Sequence, residues 1–347
     1  MALLRAFLRT ARMARNTSRL AAGLPADDEV LLDAPDERLG PALVAAGRGE
    51  YASAAKLLAT TRDAAEWESR DRYATRLAAF ARSRSEWFDD WCSAAPHDPD
   101  ALLVKAELAV CRSWESPARA ELLRQVGPLI SAAAEGDPRD PVPWRIALDH
   151  ARGTNTPHTA FECLWAEAVR RSPHHYGCHV AALQYLSAAW YGSHRECFDF
   201  AERAAQDALP GSLVQALPVR AAFAYLTEGG GPAVRRERLD AAADLAIAVS
   251  GEYPTADPWP AEVRNLLIYV LIRLERWQDA LSELHRVGPH ATSFPWDRIS
   301  DDPLGQFLEL RDGIRIEVAS GMPLKLRNAD VPYPRSERDG RTPSDDH

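Results

Sequence analysis

An aspartate or serine stands directly before a proline at Asp98-Pro99, Ser116-Pro117, Asp140-Pro141, Ser172-Pro173, Asp257-Pro258 and Asp302-Pro303. Each pair is a helix-start signal. The side-chain oxygen accepts from the free amides of a first turn, and proline tolerates the first helical position because its missing N–H has no partner there. Ser193-His194-Arg195-Glu196 adds a capping box. Between these starts, from about residue 36, apolar residues recur at helical spacing and strand alternation is absent. The chain is therefore expected to be all-α.

The starts fall into pairs. First helices are expected near residues 36, 66, 99, 141, 174, 213 and 258, and second helices near 50, 84, 117, 157, 194, 232 and 277. The first-helix starts lie 30 to 45 residues apart, the period of stacked helical hairpins. A hairpin of that size cannot bury its apolar face alone, so neighbours must stack. The expectation is an α-solenoid of about seven irregular hairpins over residues 34–319, with a last helix near 303–319 as its cap. The stretch Pro173 to Phe200 shows the plan most clearly: a Ser-Pro start, an Ala-rich helix, a Trp-Tyr-Gly-Ser turn and a capped second helix.

Two turns carry a family resemblance. Gly49-Glu50-Tyr51-Ala52-Ser53-Ala54 resembles the turn and second-helix start of a tetratricopeptide repeat, as does Arg276-Trp277-Gln278-Asp279-Ala280-Leu281. Pro96, Pro173 and Pro210, each after an Ala-rich second helix, resemble the proline that closes such a repeat. First helices depart from the pattern, lacking the usual Trp, Leu-Gly and Tyr set. The segment Pro173 to Ala204 also resembles a stretch of an uncharacterised bacterial family of tetratricopeptide-like proteins. The resemblance implies a helical-repeat fold and supplies no activity.

The two ends read differently. Residues 1–20 hold no acid, and Arg5, Arg9, Arg12, Arg15 and Arg19 share one face of a helix, with Leu3, Leu4 and Phe7 opposite. Such a helix packs on its own acidic body, docks on a partner or touches an anionic membrane surface. Residues 1–33 are thus read as a basic amphipathic helix and a linker. Residues 320–347, rich in proline and charge, read as a disordered tail. The net charge of −9 argues against nucleic acid. Five cysteines without close-pair spacing argue against a disulfide framework or a zinc site and suit a reducing cytoplasm. No apolar run reaches the roughly 18 residues that cross a bilayer.

Chemistry-bearing residues concentrate in few places. His175 and His179 are four residues apart and so share a helix face, with His174 beside them; two ligands without a third make no metal site. Cys178 and His179 are adjacent and diverge on a helix, so a thiol–imidazole pair is not built. Gly229-Gly230-Gly231-Pro232 lacks the strand and the Lys of a phosphate loop, though Arg235 and Arg236 follow at a helix start. The chain has 10 tryptophans, and aromatic anchors are favoured at binding sites. The expected function is a helical-repeat scaffold, without catalysis of its own and without cofactor or metal. It would bind a protein or peptide on its concave surface through Trp144, Trp165, Tyr185, Trp190, Tyr191, His175, His179, Arg235 and Arg236. The alternative is an enzyme whose site lies in the concavity, metal-assisted around His174, His175 and His179.

Overall fold

A computed structural model of the chain describes residues 20–230 and 233–321. Among these residues there are 16 α-helices and only two strands, each of two residues. The first fourteen helices alternate as the start signals imply. They are α1 (Leu39–Gly47) and α2 (Ala52–Asp63), α3 (Trp67–Ser83) and α4 (Glu86–Ala94), α5 (Pro99–Glu115) and α6 (Arg119–Glu135), and α7 (Val142–Gly153) and α8 (His158–Arg171). Then follow α9 (Tyr176–Tyr185) and α10 (His194–Asp207), α11 (Leu217–Thr227) and α12 (Arg236–Gly251), and α13 (Ala261–Arg273) and α14 (Trp277–Val287). A single-turn helix α15 (Ser293–Trp296) and a long α16 (Pro303–Gly321) close the order. The arginine helix expected before residue 20 and the tail after 321 lie outside the described residues.

Most of the caps form as their chemistry requires. Asp98 Oδ1 accepts from the amides of Asp100 and Ala101 at 2.8 and 3.2 Å. Asp140 Oδ1 holds the Val142 amide at 2.8 Å, and Asp257 Oδ1 holds that of Trp259 at 2.8 Å. Ser193 Oγ accepts from the Glu196 amide at 3.2 Å, and its own hydroxyl donates to Glu196 Oε2 at 2.8 Å. Other pairs miss the helix start: α6 begins at Arg119 and α13 at Ala261, after Pro117 and Pro258 and without a side-chain cap, and α9 begins at Tyr176, three residues after Pro173, capped by His175, whose Nδ1 accepts from the Cys178 amide at 3.2 Å. His175 therefore sits ahead of the helix and not within it.

Each odd-numbered helix packs on its own partner and on the next odd-numbered helix: α3 on α5, α5 on α7, α7 on α9, α9 on α11 and α11 on α13. The even-numbered helices back this inner row. Small residues permit the close approach. A Cβ at Gly192, in the turn before α10, would stand 2.2 Å from the Leu186 carbonyl oxygen. Backbone cannot yield as a side chain tip can, so Gly192→Ala is expected to cost roughly 1–3 kcal/mol in denaturant unfolding. Unchanged stability would contradict that approach.

The segment read as a linker is in fact packed. Val30 is 4% exposed and joins the core of the C-terminal half, with Leu20, Leu24 and Leu32 against it. Strand β1 (Leu31–Leu32) pairs in parallel with β2 (His290–Ala291), Leu31 beside His290 and Leu32 beside Ala291. Asp33 accepts from the Ser293 amide at 3.0 Å and from its hydroxyl, and Arg311 on α16 donates to Pro25 O at 3.2 Å. Arg72 on α3 reaches Pro258 O, just before α13, at 3.1 Å. Residues 25–33 are thus fastened to residues 290–311 by backbone and side-chain bonds.

Candidate functional site

On α3, Glu68, Asp71, Arg72, Thr75 and Arg76 recur at helical spacing, while Ala74, Leu77, Ala78 and Ala81 form the buried face beside them. The polar stripe lines a half-open cavity of about 430 Å³. The other walls come from Leu39 of α1, Glu107 of α5, Arg145 and Asp149 of α7, Tyr176 and Gln184 of α9, Arg220 of α11 and Glu262 of α13. All seven odd-numbered helices of the hairpins contribute to this one space, and no even-numbered helix does. The fastened segments supply the remaining wall through Asp33, His290 and Phe294, with Trp259 beside them.

Arg145, 7% exposed, organises one side of the cavity. Its Nε and Nη2 donate to Asp71 Oδ1 at 2.9 and 2.6 Å; its Nη1 lies 2.8 Å from Glu107 Oε2 and 3.4 Å from Asp149 Oδ2. Burial opposes its charge, but the three carboxylates outweigh burial and raise its pKa well above the usual value. Burial likewise pushes the Glu107 carboxyl up, against the pull of Arg145. Opposite, Arg220 pairs with Glu262, donates to Tyr176 Oη at 3.4 Å and lies 4.5 Å from the centre of the Phe294 ring. Arg72 lies 5.7 Å from the Trp259 ring.

Glu68 is the most exposed of the carboxylates on α3 that face this space. Its side chain keeps 36% of its surface accessible because it faces the cavity. Protein atoms nonetheless crowd it, and burial raises its pKa against the pull of the hydrogen bond from the Tyr176 amide. Glu68 Oε1 accepts from the Tyr176 amide at 2.7 Å. A second depression of about 570 Å³, under the turns at 65–69, 172–174 and 209–213, shares Glu68, Leu213 and Trp259 with the cavity. These three side chains form the wall between the two spaces.

The residues singled out from sequence lie elsewhere. Trp144 stacks under Arg171, whose Cζ is 4.3 Å from its ring; Trp165 meets His179 edge-on at 5.0 Å. Tyr185 is buried, stacks on Phe161 and donates to Thr156 O at 2.9 Å. Trp190 packs edge-on to Trp114 at 5.3 Å, with Arg119 and Arg152 over both rings. Tyr191 donates to Arg152 O at 2.9 Å. The Trp144–Arg171 contact lies within one hairpin, and the other aromatics join hairpins to one another; among the tryptophans, Trp259 alone lines the cavity. Arg235 and Arg236 sit at the start of α12, where Arg236 pairs with Asp240 at 3.0 Å. His174 lies in the second depression.

His175 is fully buried as a helix cap, with Nε2 3.4 Å from Trp67 O. His179 Nδ1 bonds to His175 O at 2.9 Å. Among the described residues no group of three His, Cys, Asp or Glu is placed to hold a metal ion. Burial lowers the His179 pKa from 6.5 to about 4. The native state then keeps this ring neutral while the unfolded chain protonates it, so its contribution is full above the unfolded pKa and falls with pH below it. His179→Asn, which preserves the donor, is expected to remove this slope. The wild type should lose roughly 2 kcal/mol relative to the variant between pH 6.5 and about 5 in urea titrations. Parallel pH curves would show that His179 is not desolvated.

The cavity residues Glu68, Asp71, Arg72, Arg145 and Arg220 were missed from sequence because charge at helical spacing reads as a solvated face. The available signal was that α3 carries its charges on two adjacent stripes, more than one solvated face needs. No helix among the described residues is long and apolar enough to cross a membrane. Comparison with models of known families, with curated proteins and with solved structures finds no match to the chain.

Proposed function

We propose that the chain is a tetratricopeptide-like helical-repeat binding protein. Its seven hairpins form one curved solenoid-like array, the first helices inside, and the array takes its ligand within the central cavity. The carrying observation is the lining itself: each first helix contributes to one space, and no second helix does. About 430 Å³ falls in the usual range of roughly 300–1,000 Å³ for small-ligand sites. It holds a small polar molecule or a short segment of a protein or peptide partner. Paired charges, tyrosine and tryptophan around it suit oriented recognition of polar groups.

A library of short capped peptides and polar small molecules, screened by thermal shift, tests this reading. Gln184 lines the cavity from α9, and Gln184→Trp fills it. Compounds that raise the midpoint of the wild type and not of the filled variant support the reading, since a ligand at a hundred times its Kd adds about 2.7 kcal/mol. Hits that stabilise both proteins equally, or no hits at all, contradict it.

A catalytic reading of the same cavity has one observation behind it, the carboxyl of Glu68 raised by burial and facing the space. On that reading Glu68→Gln lowers turnover by about a hundredfold with binding retained. Equal loss of binding and turnover would make Glu68 a binding group only.

A further inference from the structure

Seven carboxylates and four arginines line the cavity, so its charge is negative. Arg76 faces Asp33, Arg220 faces Glu262, and Arg145 serves Asp71, Glu107 and Asp149, the last shared with Arg152. Two lining carboxylates remain without an arginine: Asp36, which accepts from the Tyr73 hydroxyl and from the Arg38 and Leu39 amides, and Glu68. Arg72 is turned to the Pro258 carbonyl and the Trp259 ring. Glu68 has no lysine or arginine within ion-pair distance among the described residues; its Oε2 lies 4.0 Å from His175 Nε2. Asp71 is only 8% exposed, and although Arg145 holds its Oδ1, no donor reaches Oδ2. That second oxygen lies 3.8 Å from the same His175 nitrogen.

The two free oxygens therefore converge. Glu68 and Asp71 are one turn apart on α3, and both approach one edge of the His175 ring. Burial opposes a charge on that ring while its neighbours raise its pKa to about 10; against this, its Nδ1 accepts a bond from the Cys178 amide and so carries no proton, and on that geometry the ring leaves the carboxylate charge unmet. Gly177 keeps the place open: a Cβ there would stand 2.2 Å from Asp71 Oδ2. Tyr176 lines the same space, and Trp259 lines both it and the second depression. A cation satisfies such a place by ion pairing and charge-assisted hydrogen bonds.

Resting on the cavity reading above, we propose that Glu68 Oε2 and Asp71 Oδ2 form the subsite for a cationic group of the ligand, an ammonium or a guanidinium. Glu68 stands at the wall shared with the second depression, which makes it the first carboxylate that an entering cation meets. The cation comes either from a free diamine-like molecule or from a basic side chain of a peptide.

Titration calorimetry on the full chain separates these sources and tests the subsite. The probes are agmatine, a capped Gly-Arg-Gly peptide, succinate and 1,4-butanediol. Agmatine or the peptide is expected to bind, whichever does naming the source, and succinate and butanediol are expected not to. Glu68→Gln should weaken cation binding by about tenfold or more, as loss of a charge-assisted bond requires. Asp71 also holds Arg145, so Glu68→Gln is the decisive variant: glutamine still accepts from the Tyr176 amide and preserves the fold. Cation affinity unchanged in Glu68→Gln, or no cation binding at all, overturns the subsite. Succinate binding that disappears in Gln184→Trp overturns the subsite while leaving the cavity reading standing. Cation binding equal in wild type and Gln184→Trp overturns the cavity reading itself.

Discussion

Arg70→Ala is expected to lower the unfolding free energy by about 3–5 kcal/mol, the range for removing one member of a buried ion-pair network. Arg70 is 1% exposed. Its Nε donates to Asp140 Oδ2 at 2.6 Å, one terminal nitrogen lies 2.7 Å from Asp100 Oδ1, and the same nitrogen donates to Leu58 O at 3.0 Å. One guanidinium thus joins α2, α3, the start of α5 and the turn before α7. Its loss strands two aspartates that are each only 2% exposed. Arg62 still reaches Asp100 at 2.8 Å, so the greater burden falls on Asp140. Burial already raises the pKa of both acids, with Arg70 pulling them down. Without Arg70 they rise further, and a carboxyl raised in the folded state gains relative stability as pH falls. The deficit of the variant should therefore narrow at acid pH. A loss under about 1 kcal/mol, or a deficit that widens in acid, would mean that solvent reaches this network.

Trp296→Ala is the second large effect, again about 3–5 kcal/mol, for a buried aromatic cut to a methyl. Trp296 is 0% exposed, between Tyr269 of α13 and Phe307 of α16. Its Nε1 donates to Asn265 Oδ1 at 2.8 Å, and Asn265 Nδ2 donates to His290 O at 2.9 Å and to Ala261 O at 2.8 Å. The substitution leaves a cavity and a buried acceptor without its donor. It also frees the asparagine that holds the carbonyl of His290, the first residue of β2. Amide exchange at Leu31 and Asp33, which donate to Pro289 O and Ala291 O, should speed up more than the global loss of stability explains. Protection at these amides that falls only in step with global stability would show that β1 and β2 do not depend on Trp296.

The hairpin alternation was legible because helix starts are local. A capping oxygen and a proline act within four residues, and the second-helix turns at Gly49 and Arg276 stand where the pattern put them. The His175 cap was not legible, since Ser172-Pro173 offers the more usual signal and the choice between them is made by packing against α3. The closure of the chain was invisible for a different reason. Two-residue strands have no periodicity to read, and their partners stand some 259 positions apart. The cavity was hidden by the same physics that makes it useful: its carboxylates and arginines occupy a helix face that sequence alone assigns to water. Trp144, Trp165 and Trp190 were read as candidate anchors because of their residue type, yet Trp165 and Trp190 spend their surface between hairpins and Trp144 within one.

The most direct measurement concerns the join that ties residues 31–33 to residues 290–293 beside the cavity. Leu31 and His290 are paired neighbours in the two-strand sheet. Adjacent strands lie about 4.8 Å apart, inside the roughly 4.4–6.8 Å between Cα atoms that a disulfide spans. In the L31C/H290C double variant, mild oxidation of the folded protein should link positions 31 and 290 quantitatively, as read by peptide mapping, which also separates this link from the one exposed native thiol, Cys163. The same variant oxidised after denaturation should give a mixture. The closure beside the cavity requires the specific link in the folded state. Its absence in a protein that keeps full helical circular dichroism would contradict the closure, and with it a cavity shared by all seven first helices.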